Sequence, residues 1–218
     1  MKRLKKVLFV CTGNTCRSPL AEAVFEHKKK DRELQAKSAG IYTFAGAPMS
    51  DGAKTVLAKR GIEKEHAASL VNSELVHWAD VILTMTGNHK QAIVERHPEM
   101  AEKLYTLKEF VYVDEDMKAK LEKIKEKMIQ LELKRADMNA QTAGQKDNVD
   151  TSKAPEQEAL GEELFQQLQS EQEEIERLAQ EIPSFDIADP YGGNDHLYEI
   201  TLTEIEEAVD KLLEKLSD

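Results

Sequence analysis

Apolar residues fall into two rhythms along this chain. Short, mainly apolar runs occur at Val7 to Val10, around Ala36 to Ala39, at Val81 to Met85 and at Leu104 to Leu107. They alternate with segments of helical spacing, Pro19 to Lys30, Asp51 to Arg60 and Asn88 to Arg96. Strands with no polar alternation are buried on both faces, and their alternation with helices predicts an α/β fold. The expected architecture is a doubly wound, four-stranded parallel sheet with flanking helices. A last segment, Thr203 to Leu216, is apolar at Ile205, Val209, Leu212, Leu213 and Leu216, which predicts a closing amphipathic helix with Thr203 and Glu206 as its capping box.

The second rhythm occupies residues 112–183. Met117, Leu121, Ile124, Met128, Leu131 and Met138 recur in steps of three and four, interrupted by Arg135. Leu164, Leu168, Ile175, Leu178 and Ile182 repeat the pattern, interrupted by Glu171. Heptad seams of this kind predict an inserted antiparallel α-helical coiled-coil hairpin, with the polar stretch Asn139 to Pro155 as its flexible connection. The expected organisation is therefore residues 1–111 and 184–218 as one domain and 112–183 as an insertion.

Charge follows the same division. Residues 112–183 hold 18 acidic and 10 basic side chains, net −8, which leaves 23 acidic and 20 basic ones, net −3, for the rest of the chain. An acidic arm on a nearly neutral body argues against nucleic acid as partner. No apolar run has membrane length, so no membrane partner is expected. The two cysteines, Cys11 and Cys16, stand too close together to be a secreted disulfide scaffold, which predicts a cytoplasmic protein. The six histidines, His27, His66, His77, His89, His97 and His196, show no ligand spacing, so neither a metal nor another cofactor is expected.

The chemistry concentrates where the first apolar run ends, in Cys11-Thr12-Gly13-Asn14-Thr15-Cys16-Arg17-Ser18-Pro19. Pro19 suits the start of a helix because its missing N–H costs nothing there. Between strand and helix the chain must curl, and Gly13 and Asn14 best tolerate left-handed conformations. Such a curl aims backbone N–H groups at one point, and the following helix N-terminus adds positive potential. A thiol at the base of that cradle, with the Ser18 hydroxyl nearby, is favoured as thiolate and thus as a nucleophile. Arg17 offers a planar fork to two phosphoryl oxygens. No Gly-Lys-Ser/Thr follows, which excludes a Walker-type nucleotide loop.

This nine-residue stretch resembles the signature of the low-molecular-weight protein-tyrosine phosphatases. The likeness continues in Ser38-Ala-Gly40, in Ala79-Asp-Val-Ile-Leu-Thr-Met85 and in Asp189-Pro-Tyr-Gly-Gly193, and covers residues 5–111 and 184–216. Within the family the sequence is most similar to the bacterial protein arginine phosphatases. The resemblance implies phosphorylated protein substrates, a phosphocysteine intermediate and Asp189, directly before Pro190, as general acid. Asp186 is the other carboxylate on that loop. It also implies a loop-supporting role for His66. Asn14, Ser18 and Ser38 are expected to brace the loop, and Tyr191 to flank the mouth and contact substrate.

Thr15 bears on the leaving group. A hydroxyl there, where tyrosine-specific relatives usually carry an aliphatic side chain, would face an aromatic ring unpaired at a cost of about 1–3 kcal/mol. It can instead meet a guanidinium, which favours phosphoarginine over phosphotyrosine. Cys16 reads either as a small packed residue or as a redox partner that captures oxidised Cys11. The hairpin reads as a docking arm, a lid or a self-association coil, or as a solvated insertion. A non-hydrolysing phosphoprotein reader is the rival from another class.

Overall fold

The computed structural model describes residues 5–144 and 154–217. By contact density the chain divides into two compact units, Met1–Tyr112 with Phe185–Asp218, and Val113–Ser184.

The first unit is built on β1 (Lys6–Cys11), β2 (Gln35–Gly40), β3 (Val81–Thr84) and β4 (Leu104–Thr106), all parallel in the order β2-β1-β3-β4. β1 is central, pairing Cys11 with Gly40 on one side and Val10 with Thr84 on the other. Alternate residues of a strand point to opposite faces, so both faces of β1 need cover. Val7 and Phe9 join a core with Leu20, Val24, Phe25, Leu202, Ile205 and Val209, contributed by α1 (Arg17–Lys28) and α8 (Asp195–Ser217). Leu8 and Val10 join a second core with Val76 of α3 (Ser73–Trp78) and Ile93 of α4 (Gly87–Arg96). α2 (Asp51–Lys59) adds Val56 and Leu57 to the first core. This is the doubly wound sheet, and it holds Cys11 at the carboxyl end of the middle strand, where such folds bind ligands.

Several local expectations are corrected. Pro19 is the third residue of α1, not its first; none of the first four helical N–H groups has a partner inside the helix, so the position is equally free. The last helix starts at Asp195 rather than Thr203, with the Asn194 side chain accepting from Leu197 N at 3.1 Å. Its buried face simply extends upstream through Tyr198, Thr201 and Leu202. Thr203 therefore caps nothing, and its hydroxyl donates to Glu199 O one turn back at 3.0 Å. Leu107 ends no strand but begins the short α5 (Leu107–Tyr112). α3, α5 and a 3₁₀ turn at Pro98–Lys103 are six residues each, too short to show a helical period.

In the second unit, α6 (Glu115–Gly144) and α7 (Ala154–Gln180) pair antiparallel. Ile124 and Leu131 pack with Leu168 and Ile175, flanked by Lys120–Glu181 at 2.9 Å and Lys127–Glu174 at 2.7 Å. Helix occupies both ends of the expected connection, since α6 runs on through Asn139 to Gly144 and α7 begins at Ala154. The remainder of that connection, 145–153, and the side chains of Met138 and Leu164 lie outside the described residues. Met128, expected in the seam, is 53% exposed beside exposed Ile129 and Leu133. Half-buried Lys127 takes the place facing α7 instead, where Glu174 pairs with it. No helix among the described residues is long and apolar enough to cross a membrane.

Phe25 is fully buried and meets the Phe9 ring edge-to-face at a centroid distance of 5.9 Å. Phe25→Ala should destabilise the first unit by about 3–5 kcal/mol, measured by denaturant unfolding.

Candidate active site

The loop between β1 and α1 is shaped by one residue. Asn14 has φ 52°, the only left-handed backbone at a non-glycine position among the described residues. Gly13, expected to share that conformation, does not adopt it, because a single left-handed residue suffices for the curl. Asn14 is fully buried and its amide is fully used. Nδ2 donates to Ser18 Oγ at 3.0 Å and to Ser38 Oγ at 2.8 Å, while Oδ1 accepts from Ser69 N at 2.8 Å. His66 Nε2–H donates to the Asn14 carbonyl at 2.6 Å. Ser38 passes its own proton to Glu22 at 2.6 Å, and Glu22 pairs with Lys64 at 2.8 Å.

The floor beneath the loop is Gly40. A Cβ there would lie 2.6 Å from Thr12 O and 2.9 Å from Asn14 N, so only glycine lets the loop rest on β2. Tyr42 N–H then donates to Thr12 O at 2.9 Å.

Cys11 is 3% exposed, and its sulfur lies 3.0 Å from Ser18 Oγ. The single Ser18 proton has two acceptors in reach, this sulfur and Ala39 O at 3.2 Å. A thiol can donate to Ser18, and once it ionises the hydroxyl can turn its proton to the sulfur. Arg17 is 5% exposed; Nη1 donates to Ile187 O at 3.2 Å and Nη2 to Asp189 Oδ2 at 2.6 Å. The other Asp189 oxygen accepts from Tyr191 N at 3.1 Å. Asp186 points elsewhere, its carboxylate accepting from Gly87 N at the start of α4 at 2.8 Å.

Cys11, Thr12, Gly13, Thr15, Cys16, Arg17 and Asp189 line a cleft of about 350 Å³, with Tyr42, Phe44 and Tyr191 among its walls. Asn14, Ser18, Ser38 and His66 form the brace rather than the lining. Cys16 sits deeper, its sulfur donating to Ser50 Oγ at 3.2 Å and lying 3.5 Å from the Tyr198 hydroxyl. Unforeseen participants are Tyr42, Phe44, Ser69, Glu22 and His89. Only His89 carried a readable signal, as the third helical residue after a Thr86 N-cap.

A buried cysteine below a curled loop, an arginine fork and a carboxylate on an adjacent loop are the arrangement a cysteine-based phosphoprotein phosphatase needs. A sequence model described as low molecular weight phosphotyrosine protein phosphatase matches residues 6–123, and the chain belongs to that family. It is 48% identical over 106 residues to a protein-arginine-phosphatase of Geobacillus stearothermophilus, covering 49% of this chain and 71% of that protein. A protein-arginine-phosphatase of Bacillus subtilis is 37% identical over 107 residues, with 48% and 71% covered. The solved YwlE arginine phosphatase of Geobacillus stearothermophilus superposes with a TM-score of 0.64 at 31% identity, over 98% of this chain and 93% of that one.

His89 is 5% exposed, and burial, then the Arg17 guanidinium, push its imidazole down from 6.5 to about 4 against the opposing pull of Asp189 and Asp186. The native state thus prefers the neutral ring. Its contribution to stability is whole above pH 6.5 and is lost as pH falls towards 4, where the unfolded chain binds the extra proton. The stability gap between the wild type and His89→Gln should therefore narrow by on the order of 2 kcal/mol between pH 7 and pH 4, read from denaturant midpoints.

Proposed function

We propose that this phosphatase hydrolyses phosphoarginine on proteins through a phosphocysteine intermediate. The observation that carries the reading is Thr15 on the cleft wall. Its hydroxyl has Cys16 Sγ at 3.7 Å, a weak partner that leaves it free for a polar leaving group. The names of the Geobacillus and Bacillus relatives support the same choice.

In the first step the Cys11 thiolate attacks phosphorus in line, the P–N bond breaks, and Asp189 gives its proton to the departing guanidine nitrogen. Arg17 and the loop amides hold the three phosphoryl oxygens. In the second step water attacks the phosphocysteine, ionised Asp189 takes its proton, and phosphate leaves with the thiolate restored. Asp189 must first release Arg17. A bound dianion supplies the displacement, because it competes for the same fork and Asp189 lies at the solvent edge. The aromatic walls Tyr42, Phe44 and Tyr191 favour phosphotyrosine as a second reading.

Phosphoarginine and phosphotyrosine peptides assayed side by side decide between the two. The expected preference is for phosphoarginine, and Thr15→Ile should move the ratio of kcat/KM values towards phosphotyrosine. Cys11→Ser should abolish turnover on both. Asp189→Asn should slow it by about 100- to 10,000-fold, whereas Asp186→Asn should not. A Thr15→Ile ratio equal to that of the wild type would remove Thr15 as the determinant.

Two regulatory roles accompany this reading. Cys16 serves as the resolving thiol for oxidised Cys11, and residues 112–183 serve as a surface for a protein partner or self-association. Mild peroxide should inactivate the wild type in a way dithiothreitol reverses, and Cys16→Ser should make that loss permanent. Replacing 112–183 with a Gly-Ser linker should keep activity on an aryl phosphate within about tenfold while lowering activity on protein substrates or the number of chains per assembly in solution.

A further inference from the structure

One buried titratable side chain at the cleft takes no part in the chemistry above. His89 lies in the first turn of α4, and both its ring nitrogens are engaged by hydroxyls: Nδ1 with Thr86 Oγ1 at 2.9 Å and Nε2 with Thr12 Oγ1 at 2.8 Å. Thr86 caps α4 and accepts from the His89 backbone N–H at 3.3 Å. Thr12 follows the nucleophile directly and lines the cleft.

We propose that His89 is a positioning residue that makes the Thr12 hydroxyl a hydrogen-bond donor to the transferring phosphoryl group. Proton counting leads there. A neutral imidazole has one N–H and one acceptor nitrogen. With Thr86 Oγ1 already accepting from the backbone, its own proton is available to Nδ1. Thr86 Oγ1 then holds one accepted and one donated bond, and in this tautomer the ring proton sits on Nε2 and is donated to Thr12 Oγ1. Thr12 then has an acceptor site filled, and its own proton is left to point away from His89, into the cleft. In the opposite tautomer the Thr12 proton is consumed by Nε2, and Thr12 faces the cleft with lone pairs only, which repel a phosphoryl dianion.

The surroundings keep the ring neutral, as this arrangement requires. The groups acting on it are Arg17 from α1 and, from the segment before α8, Asp186 and Asp189, and the N-terminal end of α4 adds to the positive side. Burial and the Arg17 guanidinium therefore favour the neutral ring, which has one N–H and one acceptor nitrogen to divide between the two hydroxyls. The consequence is a side-chain donor beside the loop amides and Arg17, aimed where charge accumulates on the equatorial oxygens. This inference rests on phosphoryl transfer at Cys11 and is indifferent to whether nitrogen or oxygen departs.

The test uses the full chain and an aryl phosphate, with three variants and one spectrum. Thr12→Val keeps the shape and removes the hydroxyl, and should lower kcat/KM by about ten- to a hundredfold. His89→Leu should match it, and the double variant should be no worse than either single one, because His89 acts through Thr12. His89→Gln, which retains a side-chain N–H, should recover part of the loss. Long-range ¹H–¹⁵N correlation of the histidine rings in the wild type should show the Nε2–H tautomer at His89. An Nδ1–H tautomer, a Thr12→Val enzyme within twofold of wild type, or fully additive losses in the double variant would each overturn the proposal. Should His89→Leu not fold, the tautomer and the Thr12→Val rate decide it by themselves.

Discussion

The active site depends on the buried amide of Asn14. Its left-handed backbone costs on the order of 1–2 kcal/mol. Compensation comes from four hydrogen bonds made by one residue, to Ser18, Ser38, Ser69 and His66, each contributing about 1 kcal/mol in a site with little water. Those partners arrive from α1, from β2 and from the chain that follows it, so the curl above Cys11 exists only when the sheet is assembled. Gly40 supplies the complementary constraint, an absent side chain on which the loop lies.

The same loop keeps its polar groups in competition. Ser18 has one proton for Ala39 O and Cys11 Sγ, and Arg17 has one fork, held by Asp189, for the phosphoryl group of the proposed reaction. In each pair the negative charge brought by ionisation or by substrate tips the choice. A site built from such alternatives is organised before the ligand arrives and needs only proton rotations and the release of a half-exposed carboxylate.

The paired helices α6 and α7 rely on different physics. Among the described residues their shared apolar cluster is small, and the ion pairs along its edges are largely exposed, worth little individually. Met128, Ile129 and Leu133 instead turn outward, an apolar surface on an otherwise acidic arm.

The order of apolar runs already implied a doubly wound sheet, and the spacing of Cys11, Arg17 and Ser18 marked the curled loop between β1 and α1, because strand burial and loop chemistry are written over a few neighbouring residues. The true start of α8 was equally present in the pattern at Tyr198, Thr201 and Leu202, though a threonine and a tyrosine disguise an apolar face. Assembly alone decided the rest. That Asp189 rather than Asp186 meets Arg17, that Gly40 underlies Thr12, and that His89 reaches Thr12 are contacts between residues 28 to 172 positions apart in the chain. Sequence spacing carries no record of such distances. They are set by which strands pair and how the helices pack over them, and Gly13 shows the converse: a residue suited to a left-handed turn that the folded chain gave to its neighbour.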